Sequence, residues 1–102
     1  MRQVLTELGV EPIDPAQAAW VIARDIARQM IVGELRPENG ARSLWGLWWS
    51  CDTAEEIGQM RKPLEAWDEV LPADRDDEAI RAQMRELAHG VLDAANTRLT
   101  KP

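Results

Sequence analysis

The sequence predicts an all-α fold, a single small bundle of four to five helices. Three observations carry this. Apolar side chains recur at three- and four-residue steps through most of the chain. Helix-starting residues stand just ahead of those segments, and Gly or Pro punctuates their ends. No apolar–polar alternation is bounded by hairpin turns. The 102 residues suit one domain, 1–102. A chain of this size buries about two-thirds of its unfolded surface, enough for a core without staples. With 45% hydrophobic and 29% charged residues, the composition is that of a folded domain rather than a disordered chain.

Residues 2–8 have Val4, Leu5 and Leu8 on one side and suit one or two helical turns ending at Gly9. The first long helix is expected over 15–32. Asp14 is its N-cap, Pro15 stands at the first helical position, Gln17 completes a capping box and Gly33 stops it. Ala19, Ile22, Ala23, Ile26 and Met30 form its central stripe, widened by Trp20, Ala27 and Ile31. Residues 34–40 read as a loop around Pro37 and Gly40. The second helix is expected over 41–51, with Ala41, Leu44, Leu47, Trp48 and Cys51 facing the core. Trp48 should then be the tryptophan whose truncation costs most stability. Trp45 and Trp49 lie on a flanking stripe beside Arg42, where core and surface placements both remain open. Gly46 lowers helix propensity and suggests a close backbone approach.

Thr53 and Glu56 have capping-box spacing, and Pro63 interrupts an apolar phase running through Ile57, Met60, Leu64, Trp67 and Leu71. Two short helices, 54–61 and 64–70, or one bent helix satisfy this pattern. The last helix is expected over 77–98, capped by Asp76 or Asp74, with Ile80, Met84, Leu87, Ala88, Val91, Ala95 and Leu99 inward. Glu78 and Arg81 are placed to form an ion pair on its outer side.

The net charge of −6 excludes nucleic acid as the main partner, because phosphate binding needs a basic footprint. Ten acids and three bases in 52–78 give that segment −7, leaving the rest of the chain at +1. Such a segment either solvates a face or docks a basic partner, steering its approach. No apolar run reaches membrane-spanning length, so no membrane association is expected. One cysteine and no signal-peptide pattern suggest a cytoplasmic setting.

Chemistry is sparse. His89 is the only histidine and should be exposed, and its Glu86 partner makes one Glu-x-x-His pair where a di-iron bundle needs two. Cys51 falls on the core stripe, where a thiol behaves as a small hydrophobe. The acids at 74–78 lack calcium-loop spacing, and no glycine-rich phosphate loop exists. No enzyme activity, cofactor or metal is expected.

What stands out is Trp45, Trp48 and Trp49 beside Arg42, since Trp and Arg are enriched at binding hot spots. The residues expected to meet a partner are Arg42, Trp45 and Trp49, with Glu65, Asp68 and Glu69 from the acidic segment. Two other classes stay open. One is a small-molecule pocket in which Arg42 holds an anionic group under the Trp rings. The other is a purely structural, self-associating protein, such as a homodimer.

The run from Gly33 to Trp45, Gly-Glu-Leu-Arg-Pro-Glu-Asn-Gly-Ala-Arg-Ser-Leu-Trp, resembles a Gly-Glu-(Ile/Leu)-x-Pro-x-x-Gly-Ala-x-x-(Ile/Leu)-Trp pattern of short bacterial proteins. Those also carry a later Glu-Trp-(Asp/Glu) segment, resembled here by Glu65-Ala66-Trp67-Asp68, and an acidic final helix. The likeness spans most of 20–99, and its general character is similar to small acidic immunity or antitoxin-type proteins. It implies a protein-binding role against a basic toxin or nuclease, and assigns no residue a chemical task.

Overall fold

The computed structural model describes residues 14–100, which form five helices and, among those residues, no strand. They are α1 (Pro15–Val32), α2 (Pro37–Gly46), α3 (Glu55–Gly58), α4 (Arg61–Glu69) and α5 (Asp77–Thr100). The turns expected at 2–8 lie outside the described residues. The fold is all-α, as the periodicity predicts. No helix among the described residues is long and apolar enough to cross a membrane.

α1 has the bounds its caps dictate. Asp14 Oδ1 accepts from the Ala16 N–H at 3.0 Å, and Gly33 closes the helix at φ +84°, its N–H donating to the Gln29 carbonyl. The buried face is Ala19, Trp20, Ala23, Ala27 and Met30. Ile22, expected at the centre of the stripe, is half exposed instead. The helix is turned toward its alanines because α1 packs chiefly on α5, whose buried positions Ala88 and Ala95 are equally small. Small residues on both sides favour close approach of the two helices.

α2 starts earlier and ends earlier than the expected 41–51. Pro37 occupies the first helical position, where its missing N–H costs nothing and its fixed φ suits the helix. Arg36 precedes it in extended geometry. The close approach belongs to Gly40, not Gly46. A Cβ on Gly40 would lie 2.3 Å from Met30 Cγ, whereas one on Gly46 would meet nothing within 4 Å. Gly46 ends the helix, and residues 47–53 continue as successive turns. Asp52 and Thr53 close them in left-handed geometry, at φ +59° and +52°. The helical phase that points Trp48 inward is therefore lost after Gly46. Trp48 is half-buried, and Trp20, 2% exposed, is the core tryptophan.

The 54–70 region is two helices, and the break falls at Gln59–Met60 rather than at Pro63. Pro63 sits within the first turn of α4, where backbone N–H groups lack helical partners anyway. The apolar phase survives the break, burying Ile57, Met60 and Leu64. The capping box expected at Thr53 does not form. Thr53 is left-handed, its hydroxyl donates to the Asp52 carbonyl, and Ala54 takes the N-cap position. At α5, Asp76 is the cap, accepting from the Ala79 N–H at 3.1 Å. α5 is the spine of the bundle. It packs on each of the other four helices and buries Met84, Ala88, Val91 and Ala95 against them.

Candidate functional site

The end of α2 and the turns after it carry three indoles, Trp45 on the helix and Trp48 and Trp49 on the turns. Trp45 stacks on Trp48 at 5.1 Å with 16° between planes, and Trp49 meets Trp48 edge-on at 5.0 Å and 63°. Trp48 lies against Gly58 of α3, with its indole Nε1 buried and without an acceptor among the described residues. Trp45 is half-buried at the rim of the core. Trp49 is 77% exposed, the most exposed large apolar side chain among the described residues.

Arg42 reaches from α2 across to α4. Its two terminal nitrogens donate to the two Asp68 oxygens at 2.7 and 3.2 Å, a bidentate pair that bridges the two helices. That bond holds the Asp68 carboxyl below its usual range. One turn away, Arg61 pairs with Glu65 at 2.7 Å. Together these helices form a cleft of about 280 Å³ containing Arg42, Trp45, Glu65, Asp68 and Glu69, with Arg61 and Leu64 completing the lining. Five of the six residues expected to meet a partner thus share one small cleft, and Trp49 stands outside its lining. Two of the three acids are committed to arginines, while Glu69 has no ion pair among the described residues. An anion seeking Arg42 would have to displace the Asp68 carboxylate.

A larger groove of about 680 Å³ is lined by Trp48, Gly58 and Leu87 together with Gln59, Lys62 and Gln83, and it shares Arg61 and Glu65 with the cleft. It is not implied by the 3.6-residue pattern, because it depends on the turns that set Trp48 at the edge of the core, partly buried.

A polar cluster invisible in sequence lies where α2 and α4 meet α5. Glu38 is 8% exposed and receives two hydrogen bonds from Arg81, at 3.1 and 3.0 Å. Arg81 therefore turns to α2 instead of forming its expected ion pair with Glu78. Beside it, the Arg75 guanidinium lies 3.7 Å from the Trp67 ring centroid and donates to the Trp67 carbonyl and to Asp77. Through these bonds the cluster ties α2, α4 and α5 to one another.

Its electrostatics set a pH limit. The Arg81 hydrogen bonds hold Glu38 below its ordinary 4.5, against an opposing push from burial. A carboxyl depressed in the folded state contributes stability above its unfolded pKa and loses it as pH falls through the folded value. Asp68 and Asp77 are shifted the same way by Arg42 and Arg75. Thermal melts of the wild type should therefore decline below about pH 4.5, and Glu38→Gln should decline less steeply. Parallel acid limbs for the two proteins would show that Glu38 is not coupled to folding.

Cys51 is fully buried, and its thiol is pushed up to about 11, first by burial and then by the Asp52 charge. It stays protonated near neutrality, as a packing residue does. His89 and Glu86 are exposed on α5. Among the described residues, no group of three or more His, Cys, Asp or Glu side chains is arranged to hold a metal ion. Compared with known families, curated proteins and solved structures, the chain shows no significant match to any.

Proposed function

We propose that this protein acts by binding another protein, with Trp49 as the anchor of the contact. The observation that carries the reading is an indole left 77% exposed on a turn braced by two further stacked indoles. A large, rigid, exposed aromatic side chain is the kind that dominates interface energetics once a partner covers it. The neighbouring cleft adds Trp45 and, as a polar rim, Arg42, Glu65, Asp68 and Glu69. The partner is basic, drawn in by the −7 carried on 52–78. A toxin or nuclease neutralised as immunity and antitoxin-type proteins do is the biological form this takes, in a cytoplasmic setting compatible with one unpaired, buried thiol.

The test compares proteins captured from the source cell by the wild type and by Trp49→Ala. Because Trp49 is exposed, the variant should fold with stability within about 0.5 kcal/mol of the wild type. A partner held through Trp49 should be lost from the variant. For a captured partner, Glu69→Lys should slow association at low salt and have little effect at high salt, since exposed charges are screened within about 8 Å at physiological ionic strength. A partner retained equally by Trp49→Ala would remove Trp49 from the contact, and recovery of no partner at low salt would count against the protein-binding reading as a whole.

A further inference from the structure

The outer face of α1 has a pattern that the core does not use. Val21 and Val32 are 43% and 61% exposed, and Ile22 beside them is 50% exposed. Val21, Asp25, Arg28 and Val32 follow one another at steps of four, three and four residues. That spacing is the seam of a helix pair, and it places these four on the side of α1 opposite Ala23, Ala27 and Met30. A shallow hollow of about 260 Å³, lined by Val21, Ile22, Arg24, Asp25 and Arg28, gives the seam the relief into which a facing side chain fits.

The seam is also a palindrome in chemistry. Its centre lies between Ile26 and Ala27, with an acid and a base one step out and a valine at each end. Run antiparallel against itself, α1 brings Val21 opposite Val32 and Asp25 opposite Arg28, and a two-fold axis repeats both pairs. Asp25 already accepts from Arg28 and Gln29 of its own helix, at 2.8 Å each, with both ion-pair side chains more than half exposed. A second copy would close these charges into a ring of four. The wider charge distribution favours this face too. α1 carries Arg24, Asp25 and Arg28, for a net +1, and it packs on α2 and α5, while the −7 lies in 52–78.

We propose that α1 pairs two copies of this chain in an antiparallel, two-fold dimer through Val21, Asp25, Arg28 and Val32. This is a self-complementary contact of the kind most homodimers use. One 18-residue helix on each side is less than a standard interface, so the dimer is a weak one. Trp49 is not part of it.

The full chain should show a monomer–dimer equilibrium in sedimentation experiments across the micromolar to millimolar range. Asp25→Arg and Arg28→Asp should each weaken it at least about tenfold, because each sets like charges opposite one another in both symmetry-related pairs. Mixing the two variants should restore dimers, since every acid then faces a base across the seam. Loss of the pair within one helix cannot produce that restoration, as neither variant regains it on mixing. Circular dichroism would establish that both variants fold, and Trp49→Ala should dimerise as the wild type does. A wild type monomeric throughout the range would overturn the proposal. So would single variants that dimerise normally, or a mixture that stays monomeric where the wild type does not.

Discussion

Trp20→Ala should destabilise the protein by roughly 3–5 kcal/mol, the range for deleting a buried aromatic side chain, more than any other single tryptophan truncation. Trp20 is 2% exposed on the α1 face that packs against α5, and Arg98 covers its ring at 4.6 Å. Its indole N–H is buried without an acceptor among the described residues, so truncation also removes an unsatisfied donor, which offsets part of the loss. The packing loss dominates, because the void opens between the two longest helices, which share the main interface. A small domain has about 5–15 kcal/mol in all, so this one change consumes a large share. Trp20→Phe should cost far less, since it keeps most of the ring surface and drops the orphaned donor. Trp48→Ala should fall between Trp20→Ala and the nearly neutral Trp49→Ala, because Trp48 is half-buried. Urea melts on the four variants would rank them. A larger loss at Trp48 than at Trp20 would place the centre of stability at the 47–53 turns rather than at the α1–α5 interface.

The two positions illustrate what a sequence can reveal. The bounds of α1 and the start of α5 were legible because Asp14-Pro15, Gly33 and Asp76 act locally, through bonds spanning two to four residues. α2 was not, because a proline fits a helix break and a first helical turn equally well. What decides between them is Gly40 meeting Met30, a contact between residues ten apart on different helices. Extending a helical phase through Gly46 then points Trp48 inward, and that error follows from the first. The residues of the candidate cleft stood out as charged and aromatic side chains on α2 and α4, but their meeting in one cleft was not legible. Nor was the partition of its acids, because the bond from Arg42 to Asp68 spans 26 residues. Glu38 with Arg81 is the extreme case. Separated by 43 residues, the pair leaves no local trace, and an acid in a first helical turn has reason enough to be there without a partner.

The run from Gly33 to Trp45 becomes intelligible as the corner between α1 and α2. Gly33 supplies the left-handed cap, Pro37 opens α2, Glu38 holds Arg81, and Ala41 and Leu44 are fully buried. Arg42 and Trp45 extend it into the cleft. Each of these residues has an architectural task, so the pattern describes how two helices are joined and aimed. The most exposed large apolar side chain among the described residues, Trp49, lies just beyond it.

Gly40→Ala should destabilise the protein by about 1–3 kcal/mol, the usual cost of overpacking a filled core, although alanine is the better helix former by up to about 1 kcal/mol. The new Cβ would stand 2.3 Å from Met30 Cγ and 2.5 Å from its sulfur, with Leu35 Cδ2 at 3.3 Å. Methionine is adaptable, which argues for the lower part of the range. Met30 is fully buried, however, so its side chain can yield only by displacing other core atoms or by prising α2 from α1. Gly40→Val should therefore cost more than Gly40→Ala. Gly90→Ala is the matched control. Gly90 lies in the middle of α5 with open space where its Cβ would go, so the same substitution should stabilise by up to about 1 kcal/mol. Combining Gly40→Ala with Met30→Ala should cost less than the sum of the separate losses, because the second change empties the volume the first one invades. The opposite signs at Gly40 and Gly90 separate packing from propensity. Stabilisation at both positions would mean that the α1–α2 corner has room to spare, and that Gly40 is not what sets the approach of the two helices.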